Sequence, residues 1–328
     1  MDRSIRSALA WALFLLAGAA LAQDPARIRA KVFPGAQNLP VYAALAKGFF
    51  AKRGVAVELL FTANSVELRD GLANGDIEIA HSAVDNAVAM VELAGKDAVI
   101  VMGGDSSMNE VFVQGYIASA ADLRGRTVVV DAPNTAYALQ LKKILLNAGL
   151  KAGDYVLKAV GGGTQRAKAM SESRDNAATI LYPPFSFAVR NEGLKSLGRA
   201  VDLLGPYQGT GAFVMRPWAR ANANALERYL AGYIEATRWV RDPANREECI
   251  RILADRLKLG ADVAALTYND LMDPAFGLYP DSRLNAEGFR NVLALRAEIE
   301  GQWGGKPPAP DRYIELGYYE RALKLLNP

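Results

Sequence analysis

His81 and Cys249 are the only histidine and the only cysteine in the chain, so its imidazole and thiol chemistry rests on two residues. That count excludes a Cys/His zinc site, a haem-attachment pair and a disulfide framework, and a Cys–His dyad would require these two to meet by chance. Cys249 lies in Arg246-Glu-Glu-Cys-Ile-Arg-Ile-Leu253 at an apolar helical position, where an unpaired cysteine behaves as a small buried hydrophobe. With no nucleophile–base pair and no metal cluster to assemble, no catalytic residue, metal or cofactor is expected.

What remains is hydrogen-bonding chemistry, gathered where predicted strands give way to helices. Four such turns carry Gln37-Asn38, then Thr62, Asn64 and Ser65, then His81, Ser82 and Asp85, then Asn134-Thr135. Each leads into a helix N-terminus, whose first amides are free to donate and whose dipole is positive, so each can hold a small polar or anionic group. In open α/β sheets, ligands sit outside the carboxyl ends of the strands, which is where these turns fall. His81 is placed either to touch a ligand or to pack within its turn. Ser82 fits a helix cap, and Thr135 is expected to cap its helix while presenting its amide.

The run Gly161-Gly162-Gly163 before Thr164 lacks the Gly-Lys-Ser/Thr ending of a nucleotide loop. Its amides can still meet a carboxylate or sulfonate. Arg166 beyond it reads as a solvated helix residue. Tyr182, Phe185, Phe187 and Tyr207 lie near predicted strand ends; each alone reads as core, but several around one cleft would suit a flat or partly apolar solute. Asp85, Asp105 and Glu110, if they face that cleft, call for an amine, amidine-like or hydroxyl donor on the ligand.

The elements that must position these groups alternate. Ile28 to Phe33 is a short strand ended by Pro34-Gly35, and Pro40 opens a helix with Val41, Leu45 and Phe49 on one side. Val55 to Phe61, Ile77 to Ala80 and Ala98 to Met102 read as strands, with a helix capped by Asn64 at a capping-box distance from Glu67. The same device repeats from Thr127 to Leu181, giving a second α/β unit. Ala212 to Met215 reads as a strand returning to the first sheet, and the rest is helical. The expected division is residues 23–113 with 207–328 as one lobe and 114–206 as the other, with crossovers near 112–118 and 205–211.

Residues 1–22 read as an export signal. Arg3 and Arg6 precede the apolar run Leu9 to Leu16, and Ala20-Leu21-Ala22 offers cleavage after Ala22. A mature chain of about 300 residues exceeds the usual single core. The formal charge of +3 has no basic stripe behind it, so nucleic acid is not an expected partner.

Longer runs carry a family resemblance. Residues 38–58, Leu72-Ala-Asn-Gly-Asp-Ile-Glu-Ile-Ala80, Asp122-Leu-Arg-Gly-Arg-Thr-Val128 and Leu146-Asn-Ala-Gly-Leu150 resemble the periplasmic solute-binding proteins of ABC importers for nitrate, sulfonates, taurine and thiamine-pyrimidine precursors. The resemblance implies two doubly wound α/β lobes of the type II periplasmic binding protein fold, with a helical C-terminal region. It further implies a monomer that captures a small-molecule solute between the lobes in the periplasm and delivers it to an ABC permease in the inner membrane. Pyrimidine-precursor synthases resemble the same group but carry a cysteine-rich segment, which this chain lacks. A sensor presenting its loaded lobes to a receptor is not distinguished from a transport component.

Overall fold

The computed structural model describes residues 24–326, so the expected export signal lies outside the described residues. The first sheet opens with β1 (Ala26–Val32), β2 (Val55–Phe61), β3 (Ile79–Ala83) and β4 (Ala98–Met102). In β1 the side chains of Ile28, Ala30 and Val32 are buried between partly exposed Arg27, Arg29 and Lys31, the period-2 alternation of a strand near a sheet edge. β3, inside the sheet, and β4, at its edge where Ile314 bridges to Ile100, are both buried along their whole length, as strands covered on both faces must be. β3 runs beyond Ala80 and takes His81 and Ser82 into the strand, where a turn was expected.

The second sheet comprises β5 (Glu110–Val113), β6 (Thr127–Val130), β7 (Val156–Ala159), β8 (Asn176–Leu181) and β9 (Lys195–Arg199). β10 (Thr210–Met215) then returns to lie between β3 and β4, antiparallel to both. The orders are β2-β1-β3-β10-β4 and β7-β6-β8-β5-β9. Each sheet therefore has three parallel strands followed by one antiparallel strand that arrives from the other half of the chain. The expected boundary at 113 is too late: Glu110–Val113 pairs with β8 and β9, so the first crossing segment is residues 103–109. β9 escaped the sequence reading because Lys195-Ser-Leu-Gly-Arg199 alternates poorly and is only partly buried.

The α-helices longer than two turns or close to it are, in chain order, α1 (Leu39–Ala46), α2 (Ser65–Asn74), α3 (Asp85–Ala94), α4 (Ala136–Asn147), α5 (Gly163–Glu172), α6 (Phe185–Asn191), α7 (Ala223–Arg241), α8 (Arg246–Leu257), α9 (Ala261–Met272), α10 (Ala286–Glu300) and α11 (Gly317–Leu326), with shorter turns of helix at Phe49–Lys52, Ala200–Leu204 and Arg216–Ala221. Asn64 caps α2 as expected, its side chain accepting the Glu67 N–H at 2.9 Å. Helix α7 buries Leu226, Tyr229, Leu230, Tyr233, Ile234 and Thr237, a stripe at helical spacing that packs on α1 and α11. No helix among the described residues is long and apolar enough to cross a membrane.

Two crossing segments join the lobes, and Asp105 pins them together. Its carboxylate accepts the N–H of Ser107 at 2.6 Å and of Thr210 at 3.1 Å, together with the Thr210 hydroxyl, while its carbonyl accepts the Gly209 N–H at 2.8 Å. Ser107 and Met108 take left-handed φ values of 77° and 50° there, a conformation that costs non-glycine residues energy unless the surroundings impose it. Helix α10 braces the return segment, Asn291 donating to the Pro206 carbonyl at 2.8 Å. It also reaches the second lobe through Lys142–Glu300 at 2.7 Å and Lys143–Glu298 at 2.5 Å.

His81 settles into the first lobe. Its Nε2 lies 2.8 Å from the Tyr229 hydroxyl and its ring stacks on Tyr233 at 4.6 Å and 9°. Burial pushes the imidazole down to about 3, so it stays neutral.

Two predictions follow from this packing. A Cβ at position 209 would sit 1.9 Å from the Ser107 nitrogen, so Gly209→Ala is expected to lower stability by about 3 kcal/mol in urea melts; an unchanged midpoint would mean that the crossing segments are not packed this tightly. For His81, the unfolded chain binds a proton below about 6.5 while the folded chain does not until about 3. Stability should thus fall with falling pH across that window by about 1.4 kcal/mol per unit, and His81→Gln should flatten the slope in urea melts at pH 6 and 4.5.

Candidate functional site

The carboxyl ends of β1, β2 and β3 face those of β6, β7 and β8 across a closed cleft. Closure is made by backbone groups: the Gly162 N–H donates to the Ala63 carbonyl at 3.0 Å and the Ala36 N–H to the Pro183 carbonyl at 3.4 Å. The Tyr182 hydroxyl reaches the Pro34 carbonyl at 3.4 Å, and the Ser65 hydroxyl donates to Asp131 at 3.4 Å. Every one of these contacts joins a first-lobe turn to a second-lobe turn.

Glycine is needed where the lobes approach. A Cβ at Gly163 would lie 2.5 Å from the Phe185 ring and 3.0 Å from the Tyr182 hydroxyl, and one at Gly162 would lie 3.2 Å from the Phe33 ring. Thr164 is exposed and Gly162 and Gly163 are buried, the Gly162 amide being the one that bonds to Ala63.

Arg166 is the residue that sequence reading placed on the surface and that the structure buries completely. One turn into α5, it passes under the strand ends: Nε donates to the Ile180 carbonyl at 3.0 Å and Nη1 to the Gly161 carbonyl at 3.2 Å. Its guanidinium carbon lies 5.1 Å from the centre of the Tyr137 ring, and Nη1 lies 3.9 Å from the Asp131 carboxylate. Nη2 has no partner. The only warning in the sequence was its position, one turn after a glycine run that lets backbone come close.

Around this group stand Tyr137, Tyr182 and Phe185, with Tyr137 and Tyr182 ring centres 5.8 Å apart and Tyr182 edge-on to Phe185 at 5.4 Å. Burial raises the Tyr137 phenol well above its usual value and the Tyr182 phenol to about 12, so both remain neutral donors. From the first lobe comes Gln37, buried, with its Oε1 unpartnered. Asp131 accepts hydroxyls from Thr135 and Ser65. Burial pushes its carboxyl up, against the pull of Arg166 and the Thr135 hydroxyl.

Other expected residues are spent on the protein itself. Asn38 donates to the Phe33 carbonyl at 2.6 Å and the Gly35 carbonyl at 3.1 Å, holding the first turn in shape. Thr62 donates to the Asn64 carbonyl at 2.9 Å and to Glu67 at 3.0 Å, inside the cap of α2. Ser82 accepts from Asn86 at 3.2 Å and His81 is held by Tyr229 and Tyr233. Thr135 stands at the N-cap position of α4 but makes no side-chain cap bond, because its hydroxyl goes to Asp131 and the Ala132 carbonyl.

The three acids that suggested a cationic ligand are also occupied. Asp85 forms a two-point ion pair with buried Arg296, one arm at 2.8 Å, and Arg296 also donates to the Asn134 carbonyl at 3.0 Å. Asp105 pins the crossing segments, and Glu110 is taken by Arg190 and Ser196. Arg296 comes from α10, far along the chain, and nothing in its local sequence marked it as a bridge between the turns at 85 and 134. Among the described residues no group of three or more His, Cys, Asp or Glu side chains is placed to hold a metal ion.

This architecture is shared with solved structures. A protein from Bordetella bronchiseptica RB50 superposes with a TM-score of 0.80 at 20% identity, covering 93% of this chain and 99% of that one. The ligand-binding component of an ABC-type import system from Staphylococcus aureus gives 0.75 at 16% identity, covering 90% and 99%. The periplasmic nitrate-binding protein NrtA from Synechocystis PCC 6803 gives 0.75 at 17% identity, covering 92% and 89%. The expected periplasmic binding protein fold, with its two doubly wound lobes, is therefore the fold of this chain. No curated protein sequence matches it. The model of the NMT1-like family, however, matches residues 22–254, which take in both sheets and helix α7, and the chain belongs to that family.

Proposed function

We propose that this protein is the extracytoplasmic solute-binding component of an ABC-type importer, closing its two lobes on one small organic molecule and presenting it to a membrane permease. The observation that carries the reading is Arg166, wholly buried at the strand ends of the second lobe with Nη2 unpartnered, while the first lobe holds a buried and unpartnered Gln37 oxygen in the turn whose Ala36 N–H meets Pro183. A buried polar group without a partner costs about 1–3 kcal/mol, and a solute that satisfies both would repay closure. Two lobes joined by two crossing segments are suited to closing around a ligand.

The likeness to binding components of importers supports the role, and the candidate export signal supports the location. Binding without chemistry fits the site: His81 is held neutral inside one lobe, and burial raises the Cys249 thiol to about 12, well away from a reactive thiolate.

The test begins with the mature chain purified without denaturation and the small molecules it releases identified by mass spectrometry. Adding the released solute back should raise the melting temperature, and the solute should be recovered unaltered. Arg166→Met should weaken its binding by more than tenfold, about 1.4 kcal/mol. Tight binding retained in that variant would show that the solute sits elsewhere, and a chemically altered solute would show an enzyme.

A further inference from the structure

We infer that the closed cleft selects a solute with no net charge, uncharged or zwitterionic, over a free anion, and that Asp131 sets this choice. The inference rests on the binding role proposed above. It follows from the carboxylates that already answer the buried guanidiniums near the strand ends. Arg166 has Asp131 at 3.9 Å, and Arg296 has Asp85 in a two-point pair. Half-buried Arg69, bonded to Asn86 at 3.2 Å, lies within electrostatic reach of Asp85, Asp131 and Arg296. Asp105 stands at the crossing segments, where burial pushes its carboxyl up against the pull of two backbone N–H groups and the Thr210 hydroxyl that donate to it. His81 adds nothing, since its ring stays neutral.

The Arg166–Asp131 pair decides the balance at the centre. Both side chains are almost wholly buried. Both Asp131 oxygens accept hydroxyls, Oδ1 from Thr135 in its own lobe and Oδ2 from Ser65 in the other. Closure therefore seals the carboxylate in rather than leaving it to water. An anion entering here gains the free Nη2 edge of Arg166 but meets a fixed carboxylate beside it, and bringing an uncompensated charge into such a site is unfavourable. A carbonyl or ring-nitrogen acceptor gains the same N–H donor without that repulsion. Tyr137, Tyr182 and Phe185 supply flat apolar faces for the rest of such a molecule. The chain thus uses an arginine as a hydrogen-bond donor whose charge is already answered.

Calorimetric titration with sodium nitrate and sodium ethanesulfonate reads this directly. The parent protein is expected to bind neither with a dissociation constant below about 1 mM. Asp131→Asn, which leaves Arg166 without its counter-charge, should bind ethanesulfonate at least tenfold more tightly than the parent. The double variant Arg166→Gln with Asp131→Asn restores neutrality and should lose that gain; it also serves if the single variant folds poorly, since anion binding by the double variant would contradict the argument. Parent binding of either anion below about 1 mM, or a folded Asp131→Asn that gains no anion affinity, overturns the inference. A bound anion leaves the solute-binding role standing, whereas a protein from which no small molecule is released and which none stabilises fails at that earlier step.

Discussion

A guanidinium buried at the strand ends of the second lobe is the constraint from which the rest of the cleft follows. Taking an ion of that size out of water costs several kcal/mol unless its hydrogen-bond and charge requirements are met inside. Arg166 meets them in part: the Ile180 and Gly161 carbonyls take two nitrogens, the Tyr137 face covers the plane, and Asp131 supplies the opposite charge. Asp131 in turn needs donors, and finds them in Thr135 from its own lobe and Ser65 from the other. The Ser65 bond is made only when the lobes are together, which ties the surroundings of Asp131 to the position of a whole domain.

Two further features make that closure a discrete state. The crossing segments are locked by Asp105 and held in left-handed backbone at Ser107 and Met108. Across the cleft, backbone meets backbone at Gly162 and Ala63, where even a methyl group would be tight against Phe33 and the Ala63 carbonyl. Contacts of this kind have short reach and are either made or lost, so the cleft is expected to have closed and open forms rather than a continuum. Helix α10 reinforces the closed form by placing Arg296 on Asp85 of one lobe and the Asn134 carbonyl of the other.

The architecture was largely legible in the sequence because its signals are local. Pro40 after Asn38, the Asn64 cap before Glu67 and the alternation in Ile28 to Phe33 are decided within a few residues, and the repeated strand-turn-helix order then dictates a doubly wound sheet. The site was legible only as a set of turns. Whether a side chain in a turn faces a ligand or the protein depends on partners that are distant in sequence: Asp85 is claimed by Arg296, His81 by Tyr229 and Tyr233, and Asn38 by the carbonyls of its own turn. Arg166 failed in the opposite sense, because a basic residue in a polar helix segment reads as solvated until the strand-end carbonyls and the Tyr137 ring that enclose it are in place. The strand at Glu110–Val113 was assigned to the wrong half for a related reason, since pairing with β8 and β9 is a long-range fact.

The central claim is that closure of the lobes, which brings Ser65 onto the Arg166–Asp131 pair, is completed by the solute. Amide hydrogen exchange at Gly162 tests it most directly, since that N–H donates to Ala63 of the other lobe and has this partner only when the cleft is shut. The account predicts slow exchange at Gly162 in the protein carrying its solute and fast exchange once the solute is dialysed away, with amides inside β6 unchanged. Equal protection of Gly162 in both states would contradict it.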